Sequence, residues 1–267
     1  VEIQHQLGAT NLSLLVDGCT FENNLAEAPH GEARGGGLDL AMGGLGGEGG
    51  HAEGAGAQLN YQSSARVASV RHELIECAFE SNRALGSGSG GEAQGGGLYV
   101  EVSDVQVIAG FVTLIVDSTF KANEAANDPR AGGGTLDSWG GGLYVYIGST
   151  GITRAASGVR TIVRTSRFIA NACGDDGAGA HVHSGGTAVG PRPTLFEQCT
   201  FDGNYLTHAG SQGGAIGYYA ADTLRTSLTV RGCTIRNNRA SAQGGGIWAI
   251  QVRVCVHVCG VDCYRSR

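Results

Sequence analysis

The sequence predicts one domain over residues 1–267: an all-β, right-handed parallel β-helix of about six rungs, with three parallel sheets and glycine-rich loop insertions. Three observations point to it. The phrase CTFENN at 19–24 returns as CAFESN, STFKAN, SRFIAN, CTFDGN and CTIRNN. After each copy a glycine cluster runs into apolar residues: GGGLDL (35–40), GGGLYV (95–100), GGGLYV (140–145), GAGAHV (177–182), GGAIGY (213–218) and GGGIWA (244–249). Ahead of the later copies, in TLFEQCTF and LTVRGCTI, apolar residues alternate with polar ones, which is the period of a strand.

The fixed order of the two phrases means six copies of one structural unit. The third residue of the phrase advances by 58, 41, 48, 33 and 34, so the unit is about 33 residues long and the earlier copies carry insertions. Units of short strands and glycine turns stack as a solenoid at roughly 4.8 Å per coil, and the preference of parallel crossovers sets the hand. Each position of the unit then becomes a ladder. Phe21, Phe79, Phe120, Phe168, Phe201 and Ile235 are expected to stack inside, where burial of apolar area rewards them. Three places on, Asn24, Asn82, Asn123, Asn171, Asn204 and Asn238 are expected at a turn, bonding backbone groups and the amides of neighbouring rungs. Two places before the aromatic come Cys19, Cys77, Ser118, Ser166, Cys199 and Cys233, small enough for a narrow interior. Four places before it, Asp17, Ile75, Val116, Arg164, Glu197 and Arg231 suggest a surface ladder whose last three charges alternate in sign. GGLGGEGGHAEGAGA (43–57) has no apolar periodicity and is expected as a long exposed loop, with GSGSGGEAQ (86–94) and ANDPRAGGG (126–134) as lesser versions.

Composition narrows the function. The 47 glycines disfavour helices, and a net charge of −6 gives a nucleic-acid partner no electrostatic support. No apolar run approaches the roughly 20 residues of a membrane span, so direct membrane insertion is not expected. Opening on Val1, with no charged-then-apolar leader, the chain is expected to be a processed chain or a segment of a longer one.

The two phrases, FxxN and GG[AGL][ILV], resemble the repeats of the chlamydial polymorphic outer-membrane proteins and of related β-helix surface proteins. The resemblance runs from about Asn11 to Ile250. It implies a surface-exposed, extracellular β-helix used for adhesion or as a structural stalk, in contact with glycans or host-cell proteins. GAGA at 177–180 and Ile235 depart from the pattern, and no counterpart of the family's membrane barrel is read here.

Eight cysteines leave two readings open. The ladder thiols behave as small buried hydrophobes, or Cys199 and Cys233, in adjacent rungs, form a bridge. In the Cys-rich end 251–267, Cys255, Cys259 and Cys263 with His257 suggest disulfides of an oxidising setting or, less readily, zinc. The candidate binding surface is an outward stripe that follows each glycine phrase. It holds Tyr99, Tyr144, His181 and Trp248, and two places on Tyr146, His183 and Tyr219, against the plain alternative of strand propensity. His181 and His183 could ligate a metal with Asp175 or Asp176, but two histidines in one strand are more often unremarkable, and no metal or cofactor is assigned.

No catalytic residue is assigned either. The competing class is a carbohydrate-binding module or a polysaccharide-cleaving β-helix enzyme, yet no carboxylate cluster converges on the rung positions. No nucleophile elbow, GxxxxGK loop or HExxH is present, and the repetition of the glycine clusters assigns them to turns. The sequon at Asn11 is a single match. Strand-like sequence at both ends suggests association end to end with further coils or neighbouring subunits.

Overall fold

The computed structural model describes residues 2–4, 12–28, 33–42, 52–53, 57–61, 66–86, 91–102, 106–127, 137–147, 159–185, 191–220, 226–250 and 253–257. Among the described residues every strand pairs in parallel, and these strands stack coil upon coil in five sheets as a parallel β-helix. One coil shows the plan. Val159–Arg164 lies in a seven-stranded sheet 1, Arg167–Ile169 in a six-stranded sheet 2 and Ala172–Cys173 in a five-stranded sheet 3. Asp176 then bridges along a four-stranded sheet 4, and Ala180–Ser184 completes the coil in an eight-stranded sheet 5.

Five sheets replace the three expected, because corners are made by single residues. In this coil Thr165 (φ 47°), Ala170 (φ 52°) and Gly177 (φ 66°) take left-handed backbone and redirect the chain between sheets. Outside glycine that conformation costs on the order of 1 kcal/mol. The ladders above and below each corner hold it in place. Only the third corner is written as glycine in every copy, so the first two are hard to see in the sequence. The glycine that follows is a packing requirement: a Cβ on Gly141 would lie 2.1 Å from the carbonyl oxygen of Ala172.

The expected columns form. Phe21, Phe79, Phe120, Phe168, Phe201 and Ile235 pair in register along sheet 2. Successive phenylalanine rings stack 4.9, 4.8, 4.7 and 4.6 Å apart within 8° of parallel. The four inner rings are fully buried, while Phe21 and Ile235, in the end coils, are half-buried. The asparagines form a continuous amide ladder. Both the backbone N–H and Nδ2 of Asn123 donate to Oδ1 of Asn171 at 3.0 Å, and Nδ2 also donates to the Phe79 carbonyl at 2.8 Å. The same contacts recur from Asn24 through Asn82, Asn171 and Asn204 to Asn238. On the outside, Glu197 bridges Arg164 at 2.9 Å and Arg231 in the next coil, the alternating charges expected there.

Of the two readings left open for Cys199 and Cys233, the structure has the thiols and not the bridge: both are buried and free, and the backbone N–H of Cys199 donates to the Cys233 sulfur at 3.3 Å. In-register residues on neighbouring coils project in parallel at the ~4.8 Å strand spacing, beyond the ~4.5 Å that a disulfide tolerates between Cβ atoms. Cys19, Cys77 and Cys173 are free as well. Residues 253–257 form a strand that begins another coil of sheet 1, with Cys255 opposite Thr229; Cys259, Cys263 and Asn11 lie outside the described residues.

The glycine-rich insertion is a second correction. Within the segment read as loop, Ala52–Glu53 pairs with Ala33–Arg34 and adds a strand to sheet 4, and at its last residue begins Ala57–Tyr61, which pairs with Leu38–Met42 in sheet 5. Glu2–Gln4 stacks outside Ala57–Tyr61. Ala93–Gln94, also read as loop, is a strand of sheet 4.

Candidate functional site

The stripe on sheet 5 resolves into two rows set by strand register. Tyr99, Tyr144, His181, Gly217 and Trp248 follow one another in the first row, and Glu101, Tyr146, His183, Tyr219 and Ile250 in the second. The first row is not exposed as expected: Tyr99, Tyr144 and His181 are buried, and Trp248 is half-buried. The cover is sheet 4, whose outer side chains fold across the corner onto sheet 5. Arg34 stands 5.1 Å over the Tyr99 ring and pairs with Glu101 at 2.8 Å. The Tyr99 hydroxyl donates to the same Glu101 carboxylate at 3.0 Å. Trp139 stacks on Tyr144 at 6.1 Å and reaches His181 at 6.4 Å. Strands of two residues, Ala33–Arg34 and Ser138–Trp139, do the covering, and two residues are too few to leave a periodic signal.

What reaches solvent is the second row. Tyr146, His183 and Tyr219 are half-buried, with ring centres 5.2 and 4.7 Å apart and planes tilted by 65° and 57°. In the first row, by contrast, Tyr99, Tyr144 and His181 lie 5.5 and 5.4 Å apart and within 25° of parallel. Ring faces in that row are therefore spent on neighbouring rungs. The accessible second row offers ring edges, two hydroxyls and an imidazole, beside the Arg34–Glu101 pair. Such a surface can exchange hydrogen bonds and edge contacts with a partner.

Burial keeps both histidines neutral. It lowers the pKa of His181 to about 3, aided by His183, and lowers that of His183 as well. The carboxylates weighed as co-ligands are engaged elsewhere. Asp175 accepts the Ser138 N–H at 2.8 Å and faces His208 Nδ1 at 3.4 Å, and Asp176 accepts the Gln212 N–H at 3.2 Å. Among the described residues no group of three or more His, Cys, Asp or Glu side chains is arranged to hold a metal ion. The corner formed by Asp137, Asp175, Asp176 and His208 was not read from the sequence. Its signal was the DD pair at 175–176, beside a His in the following coil. Desolvation, together with Asp175 and Asp137, pushes Asp176 up to about 6. Its bonds run from coil to coil and staple the turn between sheets 3 and 4.

These shifts give the fold a pH dependence. His72, fully buried in the core, is lowered to about 4 by desolvation. Its folded pKa lies below the unfolded one, so its contribution is complete above the unfolded value of 6.5 and is lost as pH falls through 6.5 towards 4. The full effect for His72 is about 3 kcal/mol. His181 and His183 act in the same direction. Asp176, raised to about 6, opposes them as the pH drops from there towards 3.8, and Asp175, raised by burial, acts in the same sense as Asp176. Three histidines outweigh two carboxylates, so urea midpoints are expected to fall between pH 7 and pH 4.5, and less so in His72→Leu. A midpoint that rises on acidification, or an unchanged slope in His72→Leu, contradicts this assignment.

Comparison with known proteins adds one match. Residues 232–250 match the family model described as Chlamydia polymorphic membrane protein (Chlamydia_PMP) repeat. That stretch holds the last FxxN-type phrase, with Ile235 and Asn238, and the last glycine phrase, GGGIWA. The chain thus carries a repeat of the polymorphic-membrane-protein type. No curated protein and no solved structure matches the chain. No helix among the described residues is long and apolar enough to cross a membrane.

Proposed function

We propose that the chain is a non-enzymatic structural or adhesive protein of the cell surface or extracellular space, whose solenoid wall presents the Tyr146–His183–Tyr219 row to a protein or glycan partner. The observation that carries this reading is the polymorphic-membrane-protein repeat at 232–250, set in a solenoid whose ladders hold its position in every coil. A rigid wall of this kind fixes side chains at constant spacing, which suits adhesion to an extended surface more than turnover of a small substrate. The half-buried second row supports the choice of face, since tyrosine is among the side chains enriched where proteins meet partners and Tyr146 and Tyr219 keep part of their surface in solvent.

The test is binding of the labelled chain to intact host-type cells and to a glycan array. Saturable binding is expected, and Tyr146→Ala with Tyr219→Ala is expected to weaken it about tenfold. Binding that ignores both substitutions rejects the row. Reducing-sugar release from an acidic polysaccharide, abolished by Asp176→Asn, replaces the reading with that of an enzyme.

A further inference from the structure

We infer that the outer face of sheet 1 holds a second binding site, a proline-walled groove in which Arg160 receives a carboxylate of a protein partner and the apolar floor receives a neighbouring apolar side chain. Two independent observations carry this, and neither involves the row on sheet 5.

The first is the groove. Arg192–Glu197 lies inside sheet 1, between Val159–Arg164 and Thr226–Arg231. Its second residue is Pro193, and proline inside a sheet brings no N–H to the ladder. Pairing with Thr226–Arg231 begins at Arg192 and Thr226, but pairing with Val159–Arg164 begins only at Thr194 and Thr161. The paired ladder therefore stops short of Arg160 and Pro193. At that place a groove of about 250 Å³ opens on the outer face, lined by Arg160, Ile162, Pro191, Pro193 and Leu195. A cavity of about 150 Å³ is enough to hold a benzene ring, so an aromatic or branched aliphatic side chain fits here. One coil below, Val112 and Leu114 stand in register with Arg160 and Ile162; both are half-buried and extend the apolar surface.

The second observation is charge. Arg164, in the same strand and on the same face, pairs with Glu197 of the next coil. Arg160 has no such carboxylate. It is exposed, makes no ion pair or hydrogen bond with the described residues, and stands between Val112 on one side and the prolines on the other. A guanidinium takes a carboxylate through two parallel hydrogen bonds, and apolar walls that exclude water strengthen the pair. Groove and charge together specify an apolar group beside a carboxylate. The occupant belongs to a larger partner and is not a free small acid. Sites for small ligands enclose most of the ligand, whereas here Ile162, Pro193 and Leu195 are half-buried on an open wall and Pro191 is exposed. Protein interfaces, by contrast, concentrate affinity where an arginine borders a pocket that takes an apolar anchor.

The test selects a phage-displayed library of random peptides on the full chain. Enriched peptides are expected to carry an apolar residue beside, or next but one to, Asp or Glu. As synthetic peptides they are expected to bind Arg160→Gln about tenfold more weakly than the parent chain. Replacing their carboxylate residue by Lys is expected to restore binding to Arg160→Glu, a rescue that a mere loss of folding does not produce. Their affinity is expected to be unchanged in Tyr146→Ala with Tyr219→Ala, which separates this site from the sheet 5 row. The inference is overturned if no peptide is enriched, if the enriched peptides bind Arg160→Gln as well as the parent, or if the double tyrosine variant abolishes their binding. Phenylacetate that binds as tightly as the best peptide overturns it too, since the groove is then a site for small acids.

Discussion

Replacing Phe120 by alanine is expected to destabilise the fold by about 3–5 kcal/mol, the cost of a lost buried ring plus the cavity it leaves. The ring stacks between Phe79 at 4.8 Å and Phe168 at 4.7 Å, so a void there removes two aromatic contacts at once and cannot be filled from solvent. Relaxation is also limited. Thr119 and Lys121 on either side are tied in register to Ala78 and Glu80 below and to Arg167 and Ile169 above, so the strand cannot collapse into the gap without breaking the ladder. Lys121→Ala is the control. Its amine is exposed and 3.6 Å from Glu80, and the expected change is within about 0.5 kcal/mol. Urea unfolding of the two variants separates the outcomes, and equal midpoints mean that the phenylalanine column is not the core.

Asn171→Ala is expected to cost a comparable amount for a different reason. The side chain gives Nδ2 to the Phe120 carbonyl and to Asn204 Oδ1, both at 2.9 Å, while its Oδ1 accepts the N–H and Nδ2 of Asn123. Alanine leaves those partners buried and unsatisfied, at about 1–3 kcal/mol for each group that finds no substitute. Asn171→Asp distinguishes hydrogen bonding from packing. The carboxylate has almost the same shape and still accepts from Asn123, but it turns an oxygen towards the Phe120 carbonyl and Asn204 Oδ1 where a donor stood. If the ladder is held by amide donors, Asp is as harmful as Ala at neutral pH. If only volume matters, Asp is tolerated.

Both effects follow from residues whose identity the solenoid demands in every coil, which is why the sequence displays them. A ring in the interior column and an amide that both donates and accepts along the axis have few replacements, so Phe120 and Asn171 recur as a phrase. The charges at Arg164, Glu197 and Arg231 were legible for a related reason, since opposite charges on neighbouring coils attract and these three alternate in sign. What was hidden lies where geometry, and not residue type, decides. A left-handed corner at Thr165 or Ala170 is enforced by the coils on either side, so five sheets looked like three. The burial of Tyr99, Tyr144 and His181 depends on Arg34 and Trp139, in two-residue strands that have no period to read. In the insertion, AQLNY is recruited to sheet 5 by pairing with Leu38–Met42, not by a pattern of its own.

The whole fold rests on the stacking of corresponding residues of successive coils directly above one another. Its most direct test is a distance along one outward ladder. Ile75, Val116, Arg164, Glu197 and Arg231 occupy the same register position in five consecutive strands of sheet 1. Spin labels introduced through unnatural amino acids at Ile75 and Arg231, four strand steps apart, leave the native thiols untouched. Pulsed dipolar spectroscopy is expected to give a single narrow distribution centred near 19 Å. A broad distribution, or one centred at more than twice that separation, contradicts the stacked register on which the fold and the proposed binding face both depend.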